Sequence, residues 1–395
     1  MPVGLIVTLK KILLVLAVFK GISAYSQFDS IPFTVSINFD LKQSETLGLS
    51  KIQSAETITI FRPEPDENTY NHGVVLFPFK DKLYAQWQCS SKDEDEQDTH
   101  VVYSVSVDGK KWSIPKALSP SYPNRITTSG GWWSDGTQLV AYLNVWPDSI
   151  SPKGGYTEYM ISKDGTSWSS PESVLDREGD PIEGIIEQDL RLLEDGRILT
   201  AFHLQPGLHI TPFYTDDPSG ISGWTPGVMP LNPSGTAMSR EIEPSWFFRK
   251  DTSLVMVFRD QNSTFKKLAS ISFDQGAHWT LPVMVDTPDS RAKQSAGNLP
   301  DGIAFMVNNP TGNKNRFPLV ITLSKDGYHF DKAFLLRDGK EDLQPMRHEG
   351  KYKRPGYSYP KSVIWNDFLY VAYATNKEDV EVTRIPLKVL SQLYR

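Results

Sequence analysis

Six short clusters, each opening an apolar alternating run, hold the side chains most able to do chemistry. In chain order they are Asn71-His72, Trp132-Trp133, Glu187-Gln188-Asp189, Arg240-Glu241-Ile242-Glu243, Lys293-Gln294 with Asn298, and Tyr357-Ser358-Tyr359-Pro360-Lys361. Imidazole titrates near neutral pH and takes or gives a proton without a special environment, which makes His72, in the stretch NTYNHG, a candidate acid or base. Asn68, Tyr70 and Asn71 are candidates to orient that ring or a substrate. The plainer reading of His72 is a strand-end histidine bonded to a backbone carbonyl. Glu241 and Glu243 lie two apart and so share one strand face, while Arg240 and Lys361 are either ligand contacts or structural partners of these carboxylates. Trp132 and Trp133 are adjacent, so one faces a core and the other is free to face a site. Aromatic faces for sugar rings, with amides and charges for hydroxyls and carboxylates, describe a carbohydrate site; Glu187, Gln188, Gln294, Asn298, Tyr357 and Tyr359 complete the candidate set.

Two other clusters offer less. His203 and His209, in HLQPGLH, are separated by a Pro-Gly turn and lack a matching carboxylate set, so no metal centre is expected. The acidic run from Ser91 to Asp98 reads as a solvated loop that could rim a site. No cofactor motif is visible. A net charge of -6 and 22% charged residues provide no basic footprint for nucleic acid.

The elements that position these clusters are repeated. Ser106-Val107-Asp108-Gly109-Lys110-Lys111-Trp112, Ser162 to Trp168, Ser272 to Trp279 and Ser324 to Phe330 share one form: serine, aspartate, glycine, then an aromatic. A degenerate copy runs from Thr215 to Trp224. The first two copies start at 106 and 162 and the last two at 272 and 324, the spacing of propeller blades with their loops. Asp-Gly provides the positive φ of a tight turn, serine and aspartate bond to turn backbone, and the aromatic caps a blade core. One carboxylate per copy is too few oxygens for calcium. Six blades are readable, with inner strand pairs from His72 to Gln88, Trp132 to Asn144, Glu187 to His203, Glu243 to Arg259, Gln294 to Asn308 and Tyr357 to Tyr373. The runs Phe33–Ile37 and Thr57–Phe61 either close the last blade or start a seventh. The expected fold is all-β, a single β-propeller domain over residues 27–395.

Residues 1–26 combine Lys10 and Lys11, the apolar run from Ile12 to Phe19, and small residues ending Ser23-Ala24-Tyr25-Ser26. This reads as a signal peptide cut near Ser26-Gln27, for a periplasmic or secreted protein with no membrane attachment after removal. Cys89 is the only cysteine, so an exported chain must rely on core packing and not on an internal disulfide.

The repeated turn resembles the Asp-box of sialidase-like propellers. Within that group, Glu243 in REIEPSWFFRKDTSLVMVFRD resembles the glutamate segment of the retaining sialidases, and Tyr357 or Tyr359 in PGYSYPKS the tyrosine segment. Those enzymes use a tyrosine-glutamate pair, an acid aspartate and three arginines. Where they carry Arg-Ile-Pro at the head of the first blade, this chain has Asn71-His72-Gly73, which removes a bidentate guanidinium clamp. His72 in its YNH context, with AGNLPDG, RFPLVITLSKDG, GYSYPKS and YATNKEDVEVTRIPL, resembles the propeller α-L-rhamnosidases of glycoside hydrolase family 145. That resemblance implies seven blades and removal of terminal rhamnose from glucuronic acid in plant arabinogalactan-type glycans. It also implies His72 as the catalytic group, on the face opposite the sialidase one, so that Glu243 and Tyr357 would belong to a second site. The expected partner is an acidic plant oligosaccharide or polysaccharide. The alternatives are a sialidase-type hydrolase using Glu243 and Tyr357, a lyase acting at the uronate, and a glycan-binding propeller without turnover.

Overall fold

Six four-layered β-blades radiate from a common axis in the computed structural model, which describes residues 31–150, 153–230 and 241–394. The signal-peptide reading and Arg240 fall outside the described residues. The innermost strands of the blades are Tyr70–Phe79, Arg125–Ser134, the broken pair Gly184–Ile186 and Arg191–Leu192, Glu241–Phe248, Ser295–Asn298 and Tyr357–Trp365. Each is followed outward by antiparallel partners. The outermost strands of the first three blades are only two residues long, Lys116–Ala117, Glu172–Ser173 and Thr225–Pro226, which blunts the exposed edges. One short helix, Leu387–Leu393, follows the last strand, and no helix among the described residues is long and apolar enough to cross a membrane.

The expected seventh blade is absent among the described residues. Glu56–Phe61 instead pairs antiparallel with Asp379–Pro386, with Ile58 opposite Val382, and becomes the outer strand of the sixth blade. This satisfies an otherwise open edge and ties the two ends of the propeller together. Thr34–Val35 is only two residues long, lies parallel to His329–Phe330, and with Phe33 packs against the cluster around Phe247 and Phe330 without adding a blade.

Packing follows from alternation. The inner strands are buried on both faces, so apolar side chains of one blade meet those of the next, and six hydrophobic clusters alternate with the six blades. One joins Leu76, Ala85 and Trp87 to Tyr370, Ala372 and Val382 across the closure; the next joins Val75 and Tyr84 to Trp132 and Leu139. Each Asp-box stitches a blade to the one before it. Ser162 Oγ donates to Asp164 (3.0 Å) and accepts from the Gly165 N–H (2.8 Å), while Asp164 accepts the N–H groups of Thr166 and Ser167 at 2.7 Å. Turn amides thus occupy the carboxylate. A Cβ on Gly165, at φ 75°, would lie 1.9 Å from the Tyr84 hydroxyl of the first blade, so only glycine permits this approach.

The feature that builds the site is a bulge near the head of the inner strands. Register shifts fall between His72 and Val75, Ile242 and Ser245, and Ser358 and Lys361. The bulged residues Gly73, Glu243 and Tyr359 all have positive φ, at 66°, 56° and 57°. A bulge bends a strand and re-aims its side chains, and Glu243 and Tyr359 hold this uncommon backbone without being glycine.

Candidate functional site

The bulged strand heads converge on one cavity of ≈ 250 Å³, lined among others by Tyr70, His72, Glu187, Gln188, Glu243 and Tyr359. His72 and the glutamate-tyrosine pair therefore share one site, which corrects the expectation of two sites on opposite faces. Bulges of the same kind in blades one, four and six turn these residues toward the same end of the axis.

At its centre stands Tyr359. Arg259 Nη1 donates to the Tyr359 hydroxyl at 2.7 Å and to Glu243 Oε2 at 2.9 Å, so one guanidinium nitrogen bridges the phenol and the carboxylate. Burial would raise the Glu243 pKa, but Arg259, Lys293 and the phenol outweigh it and hold the group at about 2. Burial pushes the Tyr359 hydroxyl well above its ordinary value. Glu243 is also fixed from behind: its N–H donates to His203 Nε2 at 3.2 Å, and its carbonyl accepts from Gln294 Nε2 at 2.8 Å.

His72 packs its ring on Tyr359, with centroids 4.3 Å apart, and Nδ1 has no protein partner. Burial first, then Lys377, Arg316, Lys293 and Arg259, push its pKa well below 6.5, so the imidazole is neutral. The backbone-bonded strand-end reading of that nitrogen therefore does not hold. The Tyr70 hydroxyl beside it is likewise buried and unpartnered. Arg316 stands over the Tyr359 ring at 5.2 Å, is 5% exposed, and donates through Nη1 to Ser358 Oγ at 2.9 Å. Its Nε has no partner and no carboxylate pairs with it among the described residues.

The floor is an ionic plug. Lys293 Nζ donates to Glu187 Oε1 (2.7 Å) and Gln188 Oε1 (2.9 Å), and Lys361 Nζ reaches the same Glu187 oxygen at 3.2 Å. Gln188 Nε2 donates to the carbonyls of Gly73 and Ser129, bridging blades one to three.

Several candidates serve the scaffold instead. Asn71 alternates away from His72, donates to the carbonyls of Asn68 and Glu378, and accepts from Trp87 Nε1. Asn68 donates to Cys89 Sγ at 3.3 Å. Neither tryptophan of the pair lines the cavity: Trp132 donates to the Val75 carbonyl and Trp133 to that of Pro218, each within an inter-blade core. Asn298 brackets the backbone of Phe248, and Gln294 is spent on Glu243, Val257 and Lys267. Tyr357 is core, with its hydroxyl on the Asp338 carbonyl, so Tyr359 is the tyrosine of the site.

Arg259, Arg316, Lys377 and Trp146 were not singled out from sequence. Arg259 and Trp146 end second strands and Arg316 and Lys377 lie in loops, none at an inner strand head. The acidic loop does rim the cavity, through Glu94, ion-paired with Lys377, and Asp95, which accepts from Lys153 at 2.5 Å. No group of three His, Cys, Asp or Glu that could hold a metal occurs among the described residues.

The model of the BNR repeat-like domain family matches residues 81–371, well over half of the chain. No curated protein matches significantly. Among solved structures, a protein of unknown function from Dyadobacter fermentans superposes with a TM-score of 0.65 at 14% identity, covering 85% of this chain and 100% of that one. A protein named sialidase gives 0.58 at 20% identity, covering 91% of this chain but 35% of that one. The intramolecular trans-sialidase from Ruminococcus gnavus gives 0.61 at 12% identity, covering 84% and 97%. Asp-box turns, six blades and these matches agree: the chain belongs to the BNR repeat-like domain family and has the sialidase-like β-propeller fold.

Proposed function

We propose that this protein is an exo-acting glycoside hydrolase that removes a terminal acidic sugar, with Tyr359 as nucleophile and Glu243 as the base that takes its proton. The observation that carries the reading is the Tyr359 hydroxyl and the Glu243 carboxylate held side by side on one nitrogen of Arg259, both lining the cavity. A positioned nucleophile beside its base is the signature of covalent catalysis. The anionic character of the substrate is inferred from Arg316, since a buried guanidinium without a carboxylate is unfavourable until an anion joins it. In the proposed step the phenolic oxygen bonds to the anomeric carbon, its proton passes to Glu243, and the glycosidic bond breaks toward the leaving sugar. Glu94, at the rim, is the carboxyl group assigned to protonate that leaving oxygen. Water then releases the glycon from Tyr359.

A second reading keeps His72 as the acid/base of an α-L-rhamnosidase on rhamnose-glucuronate ends, with the glucuronate carboxylate taking the anion position. It is favoured by the neutral imidazole in the same cavity with a buried Nδ1 that has no protein partner.

One comparison separates them. Wild type, Tyr359→Phe, Glu243→Gln and His72→Ala are incubated with 3′-sialyllactose and with rhamnose-capped, glucuronate-bearing arabinogalactan oligosaccharide, and released sugars are identified. The first reading expects free sialic acid from wild type, reduced ~10²–10⁴-fold in Tyr359→Phe and Glu243→Gln. Rhamnose release lost in His72→Ala but kept in Tyr359→Phe would replace it with the second. An unsaturated uronate would identify a lyase, and saturable binding without product a glycan-binding propeller.

A further inference from the structure

Of the ten tryptophans, nine pack in or against the clusters between blades, and Trp146 alone belongs to none of them. It sits near the end of the strand Leu139–Pro147, half-buried, on the wall of the cavity. Its Nε1 donates to Thr128 Oγ1 at 2.9 Å, which holds the indole in one orientation. The Lys153 ammonium stands over the ring, 5.3 Å from the centroid, and donates to Asp95. Lys153 and Asp95 are 55% and 49% exposed, so this cover is a solvated pair, easily displaced.

We propose that the blade-two side of the cavity is a leaving-group subsite, in which the Trp146 face stacks a neutral hexopyranose and the Lys153–Asp95 pair bonds its hydroxyls. The inference rests on reading the Tyr359 end as the cleaving end. An indole offers a large apolar face with its polar N–H directed elsewhere, which suits a ring that presents several C–H bonds on one side, as a galacto-configured sugar does. Neutrality follows from charge. Arg259, Arg316 and Lys293 make the Tyr359 end cationic, whereas the rim at Trp146 carries one cation and one anion that cancel. The rim provides both donors and acceptors, as a sugar diol requires. Its acidic member belongs to the same loop as Glu94, so a ring on Trp146 would place its linking oxygen on the side of the rim carboxyls.

The test has two arms. In the first, kcat/KM of wild type and Trp146→Ala is compared on 3′-sialyllactose, whose leaving group is a disaccharide, and on sialyl fluoride, whose leaving group is one atom. The subsite requires a loss of about 10-fold on sialyllactose, with the fluoride unchanged within about twofold. Equal loss on both, or loss on neither, overturns it. The second arm does not depend on which glycon is cleaved: saturation-transfer NMR with lactose should show signal on the galactose ring protons for wild type and Trp146→Phe, and none for Trp146→Ala. If neither substrate is cleaved but lactose binds through Trp146, the proposed cleavage fails and the subsite stands. No lactose signal from wild type overturns the subsite.

Discussion

In the proposed reaction Tyr359 is a poor nucleophile until its proton has somewhere to go. Burial keeps the phenol protonated at neutral pH, while Arg259 and Lys293 hold Glu243 as a carboxylate of low basicity. In the proposed reaction an anionic sugar in the cavity would cancel part of the positive field of Arg259, Lys293 and Arg316, making Glu243 a better proton acceptor once substrate is bound. Arg316 should therefore matter to function and not to folding. Arg316→Met is expected to leave the thermal midpoint unchanged or raised, because an unpaired buried charge is replaced by an apolar chain. The same change should raise KM for an anionic substrate ~10-fold or more, since charged hydrogen bonds contribute about 1.5–3 kcal/mol. A lowered midpoint with unchanged KM would remove Arg316 from the site. His72 makes a separate prediction. Its folded pKa lies below 6.5, so the unfolded chain binds the extra proton first, and stability falls as pH drops from 6.5 toward the folded value. Relative to His72→Phe, wild type should lose up to ~1.4 kcal/mol per pH unit across that window, measured by urea midpoints at successive pH values.

The Asp-boxes and the bulged inner strands divide the work at the level of elements. The boxes fix blade against blade at turns remote from the cavity, so damage there should appear in stability alone. Ser162 is 1% exposed and makes two turn hydrogen bonds; Ser162→Ala is expected to cost ~1 kcal/mol in denaturant unfolding with KM and kcat within about twofold. A tenfold fall in kcat would mean that the turns set site geometry. The bulges had a local sign that was readable: Pro244 after Glu243 and Pro360 after Tyr359 interrupt runs that otherwise read as continuous strand, and proline in a sheet marks an edge or a bulge. The first-blade bulge has Gly73 in place of such a side chain, and the aromatic-imidazole pair Tyr70 and His72 stands beside it.

The whole ring depends on a long-range closure. Glu56–Phe61 must find Asp379–Pro386 from the far end of the chain, and only then is the cluster around Ile60, Trp87 and Val382 complete. Ile60 is 7% exposed, so Ile60→Asp would place a carboxylate in that core without a partner. A loss of ~3 kcal/mol or more is expected, together with loss of turnover, because blades one and six carry His72 and Tyr359. Retained stability in Ile60→Asp would show that closure is not needed to hold the ring.

Turn chemistry and period made the architecture legible before any coordinates: Ser-Asp-Gly-aromatic repeats dictate hairpin corners at blade spacing, and alternating apolar runs dictate doubly buried strands. His72, Glu243 and Tyr359 stood out for the same local reason, as ionisable or phenolic groups at strand heads. Which candidates met was a matter of three-dimensional packing. Alternation establishes that Asn71 and His72 face opposite ways, but the direction of the axis depends on bulges and on ring closure. The partners that define the chemistry are remote in sequence, as Arg259 and Tyr359 are, 100 residues apart. No local pattern records such a pairing, because charge and hydrogen-bond complementarity between blades exists only once the ring has closed.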